Sequence, residues 1–293
     1  MKLFLGLTLM LFCMSSCEKT LTIQPDSLTP VLVVDGSIET NQPPVIILST
    51  SLNYFSKISP DILSASQVHN ARVVISDGVR SHQLKEYIQP VGNGYTISYY
   101  TIDSSNLASL IIGEPGKSYQ LTIDAMGRQY IAVTRIPVLA KKVDSLWWKK
   151  ALAIADSNKA MLMAKVTDPP GYGNYIRYYT KVNTGAFLPG ANSVFDDQIV
   201  DGSTYEIQVD QGINRNDPPR FEDYGFFNKG DTVTIKFTNI DKPTYDFWRT
   251  LEYSYQSIGN PFSSPATIIN NVKGALGAFC GYSVQYKTLI IPK

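Results

Sequence analysis

Histidine is almost absent: His69 and His82 are the only two in 293 residues. No HExxH spacing and no thiolate–imidazole set can be drawn, which excludes the familiar zinc patterns. A Ser-His-Asp triad would have to use one of the two, and no Gly-x-Ser-x-Gly elbow accompanies either. Both are read as solvated loop histidines. Charge is also scarce, at 17% of residues against about 25% in ordinary domains. The formal net charge is +1 and falls to zero once Lys2 is removed. With no basic excess to neutralise a phosphate backbone, nucleic acid is excluded as a partner. No Lys/Arg cluster suggests adsorption to anionic lipid. No glycine-rich phosphate loop is present. The glutamates are scattered, so no pair of carboxylates is placed for glycoside hydrolysis. Asp196-Asp197 with Asp201 offers hard oxygen ligands, but the spacing is not that of an EF-hand loop and reads as a hairpin with Asp201-Gly202 at its turn. The chain is read as a non-enzyme with no cofactor and no metal site. The longest apolar run, Leu3 to Phe12, is half the roughly 20 residues a spanning helix needs.

That short run is itself informative. Lys2 gives a positive start, Leu3 to Phe12 suits the h-region of a secretory signal, and Met14-Ser15-Ser16-Cys17 follows at once. Small residues before a cysteine resemble a bacterial lipobox, with Cys17 as the lipidated first residue of the mature chain. Residues 1–16 are then the signal peptide and 17–29 a polar tether reaching roughly 40 Å. The lipobox implies a lipid anchor in a membrane, and the resemblance given below implies the outer membrane. Glu18 and Lys19 form only a thin acidic export signal, so the leaflet, surface-exposed or periplasmic, stays open. Cys13 leaves with the signal and Cys17 is acylated, so Cys280 is alone and no intrachain disulfide forms. Its setting, Leu276 to Tyr282, is apolar and small, and implies a buried structural thiol.

From Val31 onward the pattern has period two. Val31 to Val34, Val45 to Leu48, Ala71-Val73-Ile75, Tyr95-Ile97-Tyr99, Leu121-Ile123 and Gln129 to Arg135 alternate between turn signals such as Asp77-Gly78 and Met126-Gly127. About seven strands in roughly 110 residues predict an antiparallel sandwich over 30–138. A second β-rich domain is expected over 139–293. It carries one helix near 242–256, with Asp241 as N-cap, Pro243 in the first turn, and Thr244, Trp248, Leu251 and Tyr255 as the core stripe. The class is mainly β: an Ig-like or transthyretin-like sandwich followed by a β-rich domain with a single helix.

Aromatics are the enriched resource, with 18 Tyr, 12 Phe and 3 Trp. Trp147-Trp148 and Tyr172, Tyr175, Tyr178 and Tyr179 are suited to stacking on sugars or covering a protein partner, though one of each adjacent pair must face the core. The stretch from Gln211 to Asn228 is long and polar, and long loops in compact domains tend to carry function. Arg220, Phe221, Tyr224 and Phe226 are its candidate recognition residues.

Several segments carry a resemblance. Val33-Val34-Asp35-Gly36-Ser37-Ile38, Pro43-Pro44-Val45, Ala71 to Gly78, Gly116 to Ile123 and Thr134 to Pro137 appear in order, followed by Gly259 to Phe262 and Asn271 to Phe279. Together they resemble the Bacteroidota domain-of-unknown-function 4249 family over essentially the whole mature chain. Cys280 and Ala275 depart from it where glycine is more usual. The resemblance implies an envelope lipoprotein, often encoded beside TonB-dependent outer-membrane receptors. It supplies no activity and no catalytic residue. The expected role is a binding or accessory module for such a receptor or for an external ligand. The alternatives are a glycan-binding or carbohydrate-active lipoprotein, or a structural envelope protein.

Overall fold

The computed structural model describes residues 29–52, 58–92, 95–151, 156, 158–217, 224–258, 264 and 267–293. Seven strands occupy the first unit: β1 (Leu32–Glu39), β2 (Val45–Thr50), β3 (Arg72–Ser76), β4 (Ser81–Gly92), β5 (Tyr95–Thr101), β6 (Ser118–Ala125) and β7 (Arg128–Arg135). They hydrogen-bond in the order β1-β2-β5-β4-β3-β6-β7, each pair antiparallel. Alternation puts Val34, Ile46, Val73, Ile75, Tyr100, Leu121 and Ile123 in one apolar core. Met126 and Gly127 both have positive φ, the two-residue turn that matches the right-handed twist of a β6–β7 hairpin. A short helix, α1 (Pro60–Ala65), capped by the Ser59 hydroxyl, follows β2.

The second unit contains β8 (Lys142–Lys150), β9 (Lys159–Thr167), β10 (Tyr175–Val182), β11 (Leu188–Phe195), β12 (Thr204–Val209), β13 (Phe227–Asn228), β14 (Thr232–Ile240), helix α2 (Lys242–Ser257), β15 (Val272–Lys273) and the long β16 (Leu276–Ile290). β8, β9, β12 and β13 form a four-stranded sheet. It faces β10 and β14 across a core of Ala160, Leu162, Ala164, Ile176, Val233, Ile235 and Phe227.

β16 ties the units together. Its first half pairs in parallel with β1, Val33 opposite Leu276 through Glu39 opposite Tyr282. Its second half pairs antiparallel with β14. β15 pairs with β7, and Val272, Ala275 and Phe279 complete the core of the first unit. One twelve-stranded sheet therefore runs through both units. Polar side chains bind the crossing. Asp241 caps α2 at Thr244 N (3.0 Å) with one oxygen and accepts Arg135 N (2.9 Å) with the other. Asn239 accepts Lys141 N and donates to Lys141 O, both at 2.9 Å, so the connection after β7 is held as if by a neighbouring strand.

Two expectations are corrected. His82 is not a solvated loop residue: it lies on β4, buried. Its Nε2 accepts the Asp103 N–H at 3.1 Å, so Nδ1 carries the proton and donates to Ser109 Oγ at 2.9 Å. The imidazole is a satisfied core group, whereas His69 pairs with Glu86 at the surface. On α2 the buried positions are Thr244, Phe247 and Glu252, while Tyr255 is about half exposed. A buried glutamate is invisible to an apolar-periodicity reading, and its reason lies in the partners it meets below.

Candidate functional site

The two sheets of the second unit part along one edge. β9 aims Ala164 and Val166 inward, β10 aims Ile176 and Tyr178, and β14 aims Ile235 and Phe237. These side chains belong to the core between the sheets. They wall a cavity of about 780 Å³. Its mouth opens between β11 and β12, each the last strand of its sheet. Apolar residues rim it: Phe195, Ile207 and Ile199, the last almost wholly exposed at the tip of the 196–202 turn.

The polar side of the mouth is ordered. The Tyr178 hydroxyl takes the Asp210 backbone N–H, and burial raises its pKa far above the phenol range. Asp210 accepts Gln208 Nε2 at 3.1 Å and the Tyr224 hydroxyl, and burial raises its carboxyl above the usual range. Tyr245 donates to Asp196 Oδ2 at 3.1 Å. Arg249, on the exposed side of α2, adds a guanidinium to the same mouth. The lip formed by residues 196–202 is knitted to the 168–174 turn through carboxylates. Asp197 Oδ2 accepts the N–H groups of Gly173 and Asn174 at 2.8 Å, Asp201 Oδ1 accepts Gly171 N at 2.6 Å, and Asp168 Oδ2 accepts Gly202 N at 3.3 Å.

A second hollow, of about 380 Å³, lies where the units join. The outer face of β1 contributes Asp35, Ser37 and Glu39, β10 contributes Arg177 and Tyr179, and α2 contributes Trp248 and Glu252. The Arg177 guanidinium is buried 3.3 Å from the Trp248 ring centroid and 4.8 Å from that of Tyr179. Its Nε donates to Ser193 Oγ at 3.0 Å, and its Nη2 lies 3.9 Å from Glu252. Glu252 also accepts Ser193 N at 2.9 Å, and Glu39 pairs with Lys236 at 2.5 Å. Asp35 alone among these carboxylates makes no close pair. Solvent reaches it through the hollow, yet the protein around it raises its carboxyl, with the Arg177 charge opposing the shift. The aromatic faces here are covered by cations: Trp248 by Arg177, Tyr179 by Arg177 and Lys236, Tyr255 by Arg215.

A family model described as Domain of unknown function (DUF4249) matches residues 18–288. The chain belongs to this family. The match spans both units and the joining strand, so the cavity and the hollow both lie within the family's domain. No curated protein matches the chain.

Two of the four loop residues singled out in the sequence can be placed. Tyr224 is half-buried, bonded to the cavity-lining Asp210 and receiving the Ala191 N–H. Phe226 is half-buried, and its neighbour Phe227 is fully inside the core. Arg220 and Phe221 lie outside the described residues, as does Cys17. Of the other aromatics, Tyr178 lines the cavity, Tyr179 lines the hollow, and Tyr172 is exposed. Trp148 packs on the core, while Trp147 meets Lys149. Apart from Tyr178 and Asp196, the cavity residues went unmarked in the sequence. Ala164, Val166 and Ile235 carry ordinary strand alternation, and nothing local says that a cavity lies between the facing sheets. Cys280 is fully buried, and burial pushes its thiol up to about 12.

Proposed function

We propose that this chain is a lipid-anchored binding module of the cell envelope, and that its ligand is an amphipathic molecule held in the cavity of the second unit. The carrying observation is the size and chemistry of that space. A volume of about 780 Å³ lies within the roughly 300–1,000 Å³ of small-molecule sites. The space opens to solvent at its mouth, and its apolar walls hold water poorly, so an apolar body gains by replacing that water. Aliphatic residues inside favour an acyl or similarly apolar body. Asp196, Asp210 and Arg249 at the mouth favour a polar head left near solvent. Binding in this reading involves no bond chemistry.

The purified chain is expected to take up N-phenyl-1-naphthylamine with a rise in fluorescence and a stoichiometry near one, and oleate is expected to displace it. Absence of uptake at micromolar probe would remove the reading. The anchor is tested separately. Cys17→Ser is expected to move the protein from the membrane fraction to the soluble periplasm, because two or more acyl chains give an anchoring that one does not. Retention of the variant in the membrane would contradict it. An accessory role beside a TonB-dependent receptor rests on the family resemblance, and a cargo-holding module is consistent with it.

A further inference from the structure

We propose, on the reading of the cavity as a ligand site, that its occupant is a long-chain carboxylate whose head is held at the mouth by Arg249 and Asn192. The acceptors at this mouth are engaged and the donors are not. Asp196 accepts the Tyr245 hydroxyl at 3.1 Å and Gln198 N at 3.4 Å, and Asp210 accepts Gln208 Nε2 at 3.1 Å and the Tyr224 hydroxyl. Arg249 lines the same mouth, exposed, and makes no hydrogen bond or ion pair among the described residues.

The sequence of α2 explains why this guanidinium is left over. The acid one turn before it, Asp246, is held by Lys242 Nζ at 2.8 Å. The acid one turn after it, Glu252, points inward to Ser193 N and Arg177. An exposed helical arginine normally pairs with such neighbours, and both are committed elsewhere. Tyr245 stands at i−4 on the same face and feels the Arg249 charge, which sets the guanidinium beside the hydroxyl that bonds Asp196. The second donor is on β11. Gln256 Nε2 donates to the Ala191 carbonyl at 3.2 Å and to Asn192 Oδ1 at 2.7 Å, so the Asn192 amide is turned with its oxygen toward α2. Its Nδ2 keeps two N–H groups with no partner among the described residues, and Asn192 lines the cavity.

Two free donors, one of them a planar fork, call for a head of acceptor oxygens. A carboxylate meets the guanidinium in two parallel hydrogen bonds. The head carries one charge and not two, because Asp196 and Asp210 already place negative charge at the mouth and a phosphate dianion meets more repulsion there. A cationic head would be repelled by Arg249 and leave it unpaired. The pairing lies at solvent, so neither partner bears the full desolvation that offsets a buried ion pair. Behind the head, the aliphatic wall of Ala164, Val166, Ile176 and Ile235 suits the chain.

The test uses the purified chain and displacement of N-phenyl-1-naphthylamine, an uncharged probe at neutral pH, by four amphiphiles of one chain length held below their micelle concentrations. Oleate is expected to compete at least about tenfold more tightly than oleyl alcohol, with oleyl phosphate between them and oleylamine last. Arg249→Gln is expected to lower the oleate-to-alcohol ratio about tenfold, and Arg249→Lys to restore part of it. Asn192→Asp keeps an oxygen for Gln256 Nε2 and replaces the free donor by a charge of the ligand's own sign, so the ratio is expected to fall there by roughly two- to tenfold. A ratio taken within one protein cancels any general loss of binding. Equal competition by oleate and the alcohol, tighter competition by the amine or the phosphate, or a ratio unchanged in Arg249→Gln would overturn the proposal, while saturable probe uptake would keep the cavity reading. No probe uptake by the wild type would remove both.

Discussion

Gly277→Ala is expected to cost about 3–5 kcal/mol, a large share of the roughly 5–15 kcal/mol net stability of an ordinary protein. Gly277 opens β16 where it meets β1, with φ at +91°, and an added Cβ would collide with the Val34 carbonyl oxygen. The positive φ alone costs an L-residue about 1–2 kcal/mol. The collision adds more, because Gly277 cannot retreat. Its N–H is held by Asn270 Oδ1 at 2.7 Å, and two residues on Asn271 brackets Phe279 at both backbone groups, 2.7 and 2.8 Å. Backing away would break the parallel register with β1 and pull Phe279 from the first core. Gly127→Ala separates the two contributions. It has φ at +71° with nothing within 4 Å of the added carbon, so only the strain of about 1–2 kcal/mol applies. Urea denaturation of both variants measures the difference. Equal losses would mean that the β1–β16 seam is looser than the contacts require.

Arg177→Met is the second large effect, at about 3–5 kcal/mol, the range for removing one partner of a buried ion pair. Glu252 is 4% exposed and would keep only the Ser193 N–H and hydroxyl as partners. The stacked guanidinium on Trp248 is lost with it. Methionine roughly preserves the volume, so the loss reports the charge and not a hole. The double variant Arg177→Met, Glu252→Gln should recover a good part of the loss, since the stranded carboxylate is then gone. Additive losses in chemical denaturation would contradict the pairing. Because the hollow joins β1, β10, β16 and α2, this pair is read as a fastening of the two units.

Local patterns foretold the local structure. Alternation such as Val73–Ile75 and Leu121–Ile123 located six of the seven strands before residue 136, leaving β4 (Ser81–Gly92) unmarked, and Asp241 with Pro243 located helix α2. What depended on distant pairing was hidden. Nothing in Leu276 to Tyr282 announces a parallel partner more than 240 residues earlier, because parallel pairing leaves no turn signal between its strands. His82 was read as a solvated residue and Glu252 was not singled out, since their satisfying partners, Ser109 and Asp103 in one case and Ser193 and Arg177 in the other, come from other segments. Gln211 to Asn228 was read as a recognition loop, and two of its described aromatics bear on the packing. Phe227 belongs to the core, and Tyr224 bonds to the cavity-lining Asp210. The cavity was not legible, because a gap is a property of two facing sheets and of neither alone.

The central claim is that the space between those sheets holds a ligand. Ala164 is a small residue on its wall, and a phenyl ring there takes up part of the space a ligand would fill. Titration of N-phenyl-1-naphthylamine into wild type and Ala164→Phe is the most direct measurement. Saturable uptake by the wild type, weakened by at least about tenfold, or about 1.4 kcal/mol, in a variant that melts at the same temperature or higher, is the expected result. Equal uptake by both proteins would place the probe elsewhere and contradict the account.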